Sequence, residues 1–253
     1  MSELTIALLV LACVLAGGVL GFLFNAKVPK HHLSEGSRDS VKQTVGVLST
    51  LTALVLGLLL ATAKSAYDTK ADELTEMAAD IVLLDRVLAQ YGPETAGARK
   101  LLHTSTKAKL EELWAENRVR LAKFRETDAT GPLEALQANL RALTPKTEAQ
   151  RELHKRAVSL AGDLARTRWL ILARSGGTIP QLFLIVLVIW LALTFAGLGL
   201  LAARNVTVVA AGVAAALAVA GAMFLILELD TPYDGVITLS DAPLRLALEH
   251  LGH

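Results

Sequence analysis

The residues able to do chemistry are few. Glu228 and Asp230 stand two apart where an apolar run ends, with Asp234 four positions beyond. Acids in that arrangement could ring the mouth of a pore or simply end a helix in water, and no base or metal partner accompanies them. His31 and His32 are adjacent, and two neighbouring imidazoles with no Cys, Asp or third His at ligand spacing make a poor metal site. His103, His154, His250 and His253 are scattered over charged stretches or the terminus. Walker loops, Gly-x-Ser-x-Gly, His-Glu-x-x-His and cysteine pairs are all missing, so the sequence predicts no catalytic residues, no metal site and no cofactor.

Composition narrows the classes further. A net charge of +1, with no basic cluster interleaved with aromatics, argues against nucleic acid. The chain is 53% hydrophobic yet 19% charged, which requires apolar blocks beside a charged block. The single Cys13 lies inside an apolar run, where it forms no intrachain disulfide and reads as a packing residue.

What remains is the chemistry of a path through lipid. Residues 45–63 carry no charge. At about 100° per residue, Lys42, Gly46, Thr50, Ala53, Gly57, Ala61 and Lys64 fall on one line, with Ser49 at its edge. That face is small, weakly polar and basic at both ends. Small faces ordinarily serve close helix packing in membranes; the sharper alternative is that the face lines a water-filled route, with Lys42 and Lys64 concentrating anions at its mouths. Leu54, Val55 and Leu58 are the candidates for a constriction that gates by dewetting.

The elements that must position this face are helices. Residues 4–24, 45–63, 179–201 and 206–227 are each long enough for a hydrocarbon core of about 30 Å. The first begins Met-Ser-Glu and runs longer than a signal peptide's apolar core, so it is expected to be a retained span. The second is expected to start near Val41 and continue into water as one helix to Tyr91, where Gly92-Pro93 stops it. Helices follow over 94–126, after Gly131-Pro132, and from Thr144-Pro145 to the glycines at 176 and 177. Thr178, Pro180 and Gln181 resemble a capping box for the third span. In the fourth, Ala210, Ala214, Ala218 and Ala222 have the spacing of a packing face. Ser240, Asp241 and Pro243 precede a last helix whose Leu244, Leu248 and Leu251 share a side, suited to docking on the bundle or lying in the interface. The expected architecture is all-α: a membrane pair in residues 1–63, a helical extramembrane domain in 64–178, a second membrane pair in 179–227, and a loop with a short amphipathic helix in 228–253.

Two pairs of spans around a helical block, with Ala63-x-x-x-Tyr67-Asp68 as the second span leaves lipid and Leu229-Asp230-x-Pro232-Tyr-x-Gly235 after the fourth, resemble the bestrophin-like family of bacterial membrane proteins. The likeness covers nearly the whole chain. It implies kinship with bestrophins: homo-oligomeric ion channels, pentameric by that resemblance, in which copies of the second span surround a pore and a helical part extends it. Most such channels pass anions, and some bacterial ones pass cations. The resemblance also implies a multi-pass protein of the bacterial inner membrane. One departure is that bestrophins narrow the pore with aromatic side chains, whereas residues 26–66 contain no Phe, Tyr or Trp.

Local charges fit either orientation. The acidic start and basic follow-on of the first span favour short loops inside, while the resemblance favours the helical block inside. Four spans place both termini and the block on one side. The functional expectation is an oligomeric channel in the lipid bilayer passing inorganic ions, anions rather than cations. The alternative is a non-conducting sensor or scaffold in which the long helix couples membrane packing to the soluble block.

Overall fold

The computed structural model describes residues 3–27, 34–113, 131–173, 179–203, 205–231 and 236–252. Among these, all regular structure is helical. The order is α1 (Glu3–Lys27), α2 (Glu35–Tyr91), a 3₁₀ turn (Pro93–Thr95), α3 (Ala96–Leu113), α4 (Gly131–Ala142), α5 (Glu148–Ala173), α6 (Gln181–Leu201), α7 (Val206–Asp230) and α8 (Ala242–His250). Helices α1, α2, α6 and α7 are long and apolar enough to cross a membrane. The chain divides into two compact units, Met1–Tyr67 with Gly177–Thr231 and Asp68–Gly176 with Pro232–His253.

Helix α2 runs unbroken for 57 residues. It starts at Glu35 rather than near Val41, because Ser34 Oγ accepts a hydrogen bond from the Ser37 N–H at 3.4 Å and caps a polar first turn. It ends where Gly92 takes φ 132°, a conformation that a side chain would strain. The final carbonyls are then satisfied from outside the helix. Thr95 Oγ1 donates to Leu88 O at 2.6 Å, and Gln150 Nε2 donates to Tyr91 O at 3.2 Å.

In the first unit α1 lies along α6 and α7. Backbones meet at glycines: a Cβ added at Gly21 would overlap the carbonyl of Ala196, one at Gly17 would meet Ala192 O, and one at Gly199 would overlap Gly18 O. Close approach of this kind replaces the missing hydrophobic drive between helices in lipid with van der Waals contact. Gly197 likewise sits where a methyl would strike Val45 of α2. Asn25 Nδ2 caps the end of α6 by donating to Ala202 O at 3.1 Å, and Asn205 Oδ1 accepts from the Val208 N–H at 2.8 Å to start α7. Two sequence expectations change here. Ala210, Ala214 and Ala218 are exposed, Ala222 is half-buried, and no atom lies within 4 Å of a Cβ at Gly212 or Gly221, so the protomer packs this helix on its other small residues, Ala216 and Ala220, which are buried. Helix α6 begins after Pro180 with no side-chain cap, and Thr178 lies outside the described residues.

The second unit has a leucine core. From Lys70 the buried positions of α2 run Leu74, Met77, Ile81, Leu84, Leu88 and Tyr91, alternating four and three apart in the 3.5-residue repeat of supercoiled helices. Leu102, Leu136, Leu140, Ala157 and Leu164 join them, as do Leu244 and Ala247 from α8 and Leu251 just after it. The last helix therefore docks on a core. Leu121 and Phe124, expected in a helix over 94–126, lie outside the described residues.

Candidate functional site

In the membrane part of α2, three sides of the helix differ in burial. Val45, Leu48, Thr52, Leu59 and Ala63 turn inward, with Thr52 at 4% and Ala63 at 0% exposure. Lys42, Gly46, Thr50, Ala53, Gly57 and Lys64 are exposed and Ser49 is half-buried. A Cβ at Gly46 or Gly57 would meet nothing within 4 Å. Val47, Leu51, Leu54 and Leu58 form a third, exposed side, roughly 80–140° around from Gly46 at about 100° per residue. The gate candidates thus separate: Leu54 and Leu58 are 69% and 66% exposed, while Val55 is half-buried and about 180° from Gly46.

The electrostatics of the small face come from its ends and its hydroxyl. Lys64 Nζ lies 5.9 Å from the centroid of the Tyr67 ring, near enough for the ring face to attract the ammonium. Thr50 Oγ1 donates to Gly46 O at 3.0 Å, so its proton is used within the helix and its lone pairs point outward. An acceptor midway suits water or a cation. A full positive charge at each end outweighs that dipole.

The acidic candidates are buried. Glu228 is 1% and Asp230 5% exposed, both enclosed by the protomer. Asp230 Oδ2 accepts from the Ile179 N–H at 3.4 Å, which ties the start of one membrane helix to the end of another. Asp234, His31, His32 and His253 fall outside the described residues. His154 Nε2 contacts Leu140 O at 2.7 Å and His250 Nδ1 contacts Leu246 O at 2.8 Å, both helix carbonyls. Among the described residues, no three His, Cys, Asp or Glu converge as a metal site.

Sequence reasoning missed the buried charges of the second unit. Asp85 is 1% exposed and is gripped by Arg99 from α3, Nε to Oδ1 at 2.7 Å and Nη2 to Oδ2 at 2.8 Å. The Gly252 N–H adds a bond to Oδ2 at 3.4 Å. Burial pushes the Asp85 carboxyl up, but the Arg99 hydrogen bonds, the Gly252 amide and the charges of Arg99 and Arg86 together hold it below the ordinary carboxylate value. Hydrogen bonding to Asp85 raises Arg99 in turn. Asp80 goes the other way, pushed up by burial and then by the neighbouring charges of Glu76 and Asp163. Lys70 and Glu73, 3% and 8% exposed, lie on the inward side of α2. The only sequence signal for Lys70 was that it falls in the 3.5-residue repeat.

Comparison with known proteins agrees with this architecture. Among curated proteins none matches the chain by sequence. In fold, the chain is similar to a bacterial bestrophin homologue from Klebsiella pneumoniae, with a TM-score of 0.66 at 14% identity, over 99% of this chain and 98% of that one. The Bestrophin-like domain matches residues 12–244. Four membrane-length helices, a helical segment between the second and third of them in the sequence, and a family match over most of the sequence lead to one conclusion: the chain belongs to the Bestrophin-like family.

Proposed function

We propose that copies of this chain assemble in the bacterial inner membrane as a bestrophin-type ion channel, with α2 lining the path and anions passing in preference to cations. The observation that carries this reading is the bare small face of α2. In one protomer Gly46, Thr50, Ala53 and Gly57 are exposed although the same helix buries Thr52, Leu59 and Ala63. A symmetric ring of such faces gives a conduit whose wall is small and polar and whose two ends carry Lys42 and Lys64. Pentameric assembly is the family's example. Glu228 and Asp230, enclosed in the protomer, are not part of the proposed path, and residues 64–178 form the block outside the bilayer.

The same bare face suits a scaffold in which copies pack α2 against α2 with no path between them. Reconstitution in liposomes separates the two. A channel gives ion flux and, in a salt gradient, a reversal potential displaced toward the anion. Lys42→Gln with Lys64→Gln moves that potential toward the cation. Protein that passes no ion at any voltage or pH eliminates the channel and leaves the scaffold.

A further inference from the structure

The second unit contains a cavity of about 270 Å³ that no feature of the proposed conduit uses. Its walls are apolar, built from Met77 and Ile81 of α2, Leu102 of α3, Leu133 of α4, Leu164 of α5 and Leu244 of α8. Two cations from different helices, Lys109 of α3 and Arg168 of α5, line the same space, and no Asp or Glu does among the described residues. The two hydroxyls present donate inward: Ser105 Oγ to Leu102 O at 2.9 Å and Thr106 Oγ1 to the same oxygen at 2.8 Å. They offer lone pairs, so the cationic side chains of the lining, Lys109 and Arg168, are its side-chain donors. Each already interacts with other groups of the chain, but three and five N–H donors leave capacity for one more acceptor. Lys109, Arg168 and Ser105 are half-buried and Ala108 is exposed, so the rim reaches solvent.

We propose that this cavity binds an apolar monocarboxylate, its chain among the leucines and its carboxylate between Lys109 and Arg168. Size selects the class. A cavity of about 150 Å³ holds benzene, so 270 Å³ takes a straight chain of about eight carbons. An anionic head is chosen because both cations hydrogen-bond a carboxylate with charge assistance. The site stands whether or not the protein conducts.

The test uses the full chain in nanodiscs and a series of linear carboxylates from butanoate to dodecanoate, with octylammonium as the control of opposite charge. Binding is read by isothermal titration. Affinity is expected to rise about threefold to fourfold per methylene up to about eight carbons and then level off. Lys109→Gln with Arg168→Gln is expected to weaken octanoate at least tenfold, and Ala108→Phe, which fills the rim without touching the core leucines, to abolish binding. Circular dichroism on each variant verifies that it is folded. The proposal is overturned if octylammonium binds as tightly as octanoate or if affinity climbs without a break to dodecanoate, which is partition into lipid. A folded double variant that binds octanoate unchanged overturns it as well.

Discussion

Arg99 holds Asp85 through two parallel bonds of 2.7 and 2.8 Å, and the Asp85 side chain retains only 2% of its surface while the Arg99 side chain keeps 25%. The pair joins α2 to α3 beside the leucine core, and through Gly252 it also reaches the chain's last described residue. Removing the arginine leaves a buried charge with one backbone donor. Arg99→Met is therefore expected to cost about 2–3 kcal/mol of the second unit's stability, whereas Asp85→Leu with Arg99→Met costs less, since no charge is stranded. Denaturant unfolding of both variants is the check; equal losses would show that packing, not charge, sets the cost.

Acid should act in two steps of opposite sign. Asp80 has a raised pKa, so its charged form weakens the fold at neutral pH and protonation relieves it as pH falls toward 3.8 from above. Asp85 has a lowered pKa, so its contribution is complete above 3.8 and is lost as pH falls through the folded value below that. Stability measured from pH 7 to pH 3 rises slightly before it falls. Asp80→Asn adds about 0.2–0.5 kcal/mol at neutral pH by removing a carboxylate that burial penalises and that Glu76 repels from one turn away, and it erases the rise. A monotonic decline in the wild type would contradict this order.

Glycines on two helices have opposite duties. Gly21→Ala drives a methyl into the Ala196 carbonyl and is expected to cost about 1–3 kcal/mol by parting α1 from α6. Gly57→Ala meets no atom within 4 Å and changes protomer stability by no more than about 1 kcal/mol. Its effect, and more strongly that of Gly57→Leu, is expected in flux. Should Gly57→Leu conduct as well as the wild type, the small face is not the wall of the path.

The three gate candidates are expected to behave differently. Leu54 and Leu58 are both exposed, but Leu54 stands about 80° and Leu58 about 120° from Gly46, so Leu54→Ser wets a constriction and raises conductance more than Leu58→Ser does, while the fold is unaffected. Val55 points away from Gly46, so Val55→Ser costs stability and leaves conductance alone. Single-channel recording beside thermal unfolding distinguishes them, and an increase for Val55→Ser alone would reverse the assignment.

How much of this was legible follows from the range of each interaction. The four spans could be read because lipid imposes a length on any apolar run, and the end of α2 because Gly92-Pro93 acts locally. The start of α2 was missed by a turn and a half, since a Ser34 cap carries the helix through polar residues that hydropathy ignores. The alanines of α7 and the glycines of α1 have the same small spacing, yet the glycines of α1 pack within the protomer while Ala210, Ala214 and Ala218 stay bare; periodicity says that a face is small without naming its partner. Asp85 and Arg99 belong to different helices, so no period links them. Glu228 and Asp230 looked like solvated carboxylates because the segment that encloses them is remote in sequence, as Ile179 is.

Both units are discontinuous along the chain, and this sets a timetable for synthesis. Gly21 finds Ala196 about 175 residues later, which at ~5–20 residues per second is roughly 10–35 s of translation. Asp85 waits for Gly252 across 167 residues. For that interval the glycine edge of α1 lacks the backbone of α6 that it meets in the folded protomer. Synthesis of α6 and of the segment around Gly252, rather than arrival of α1 in the bilayer, is the moment at which final assembly can begin.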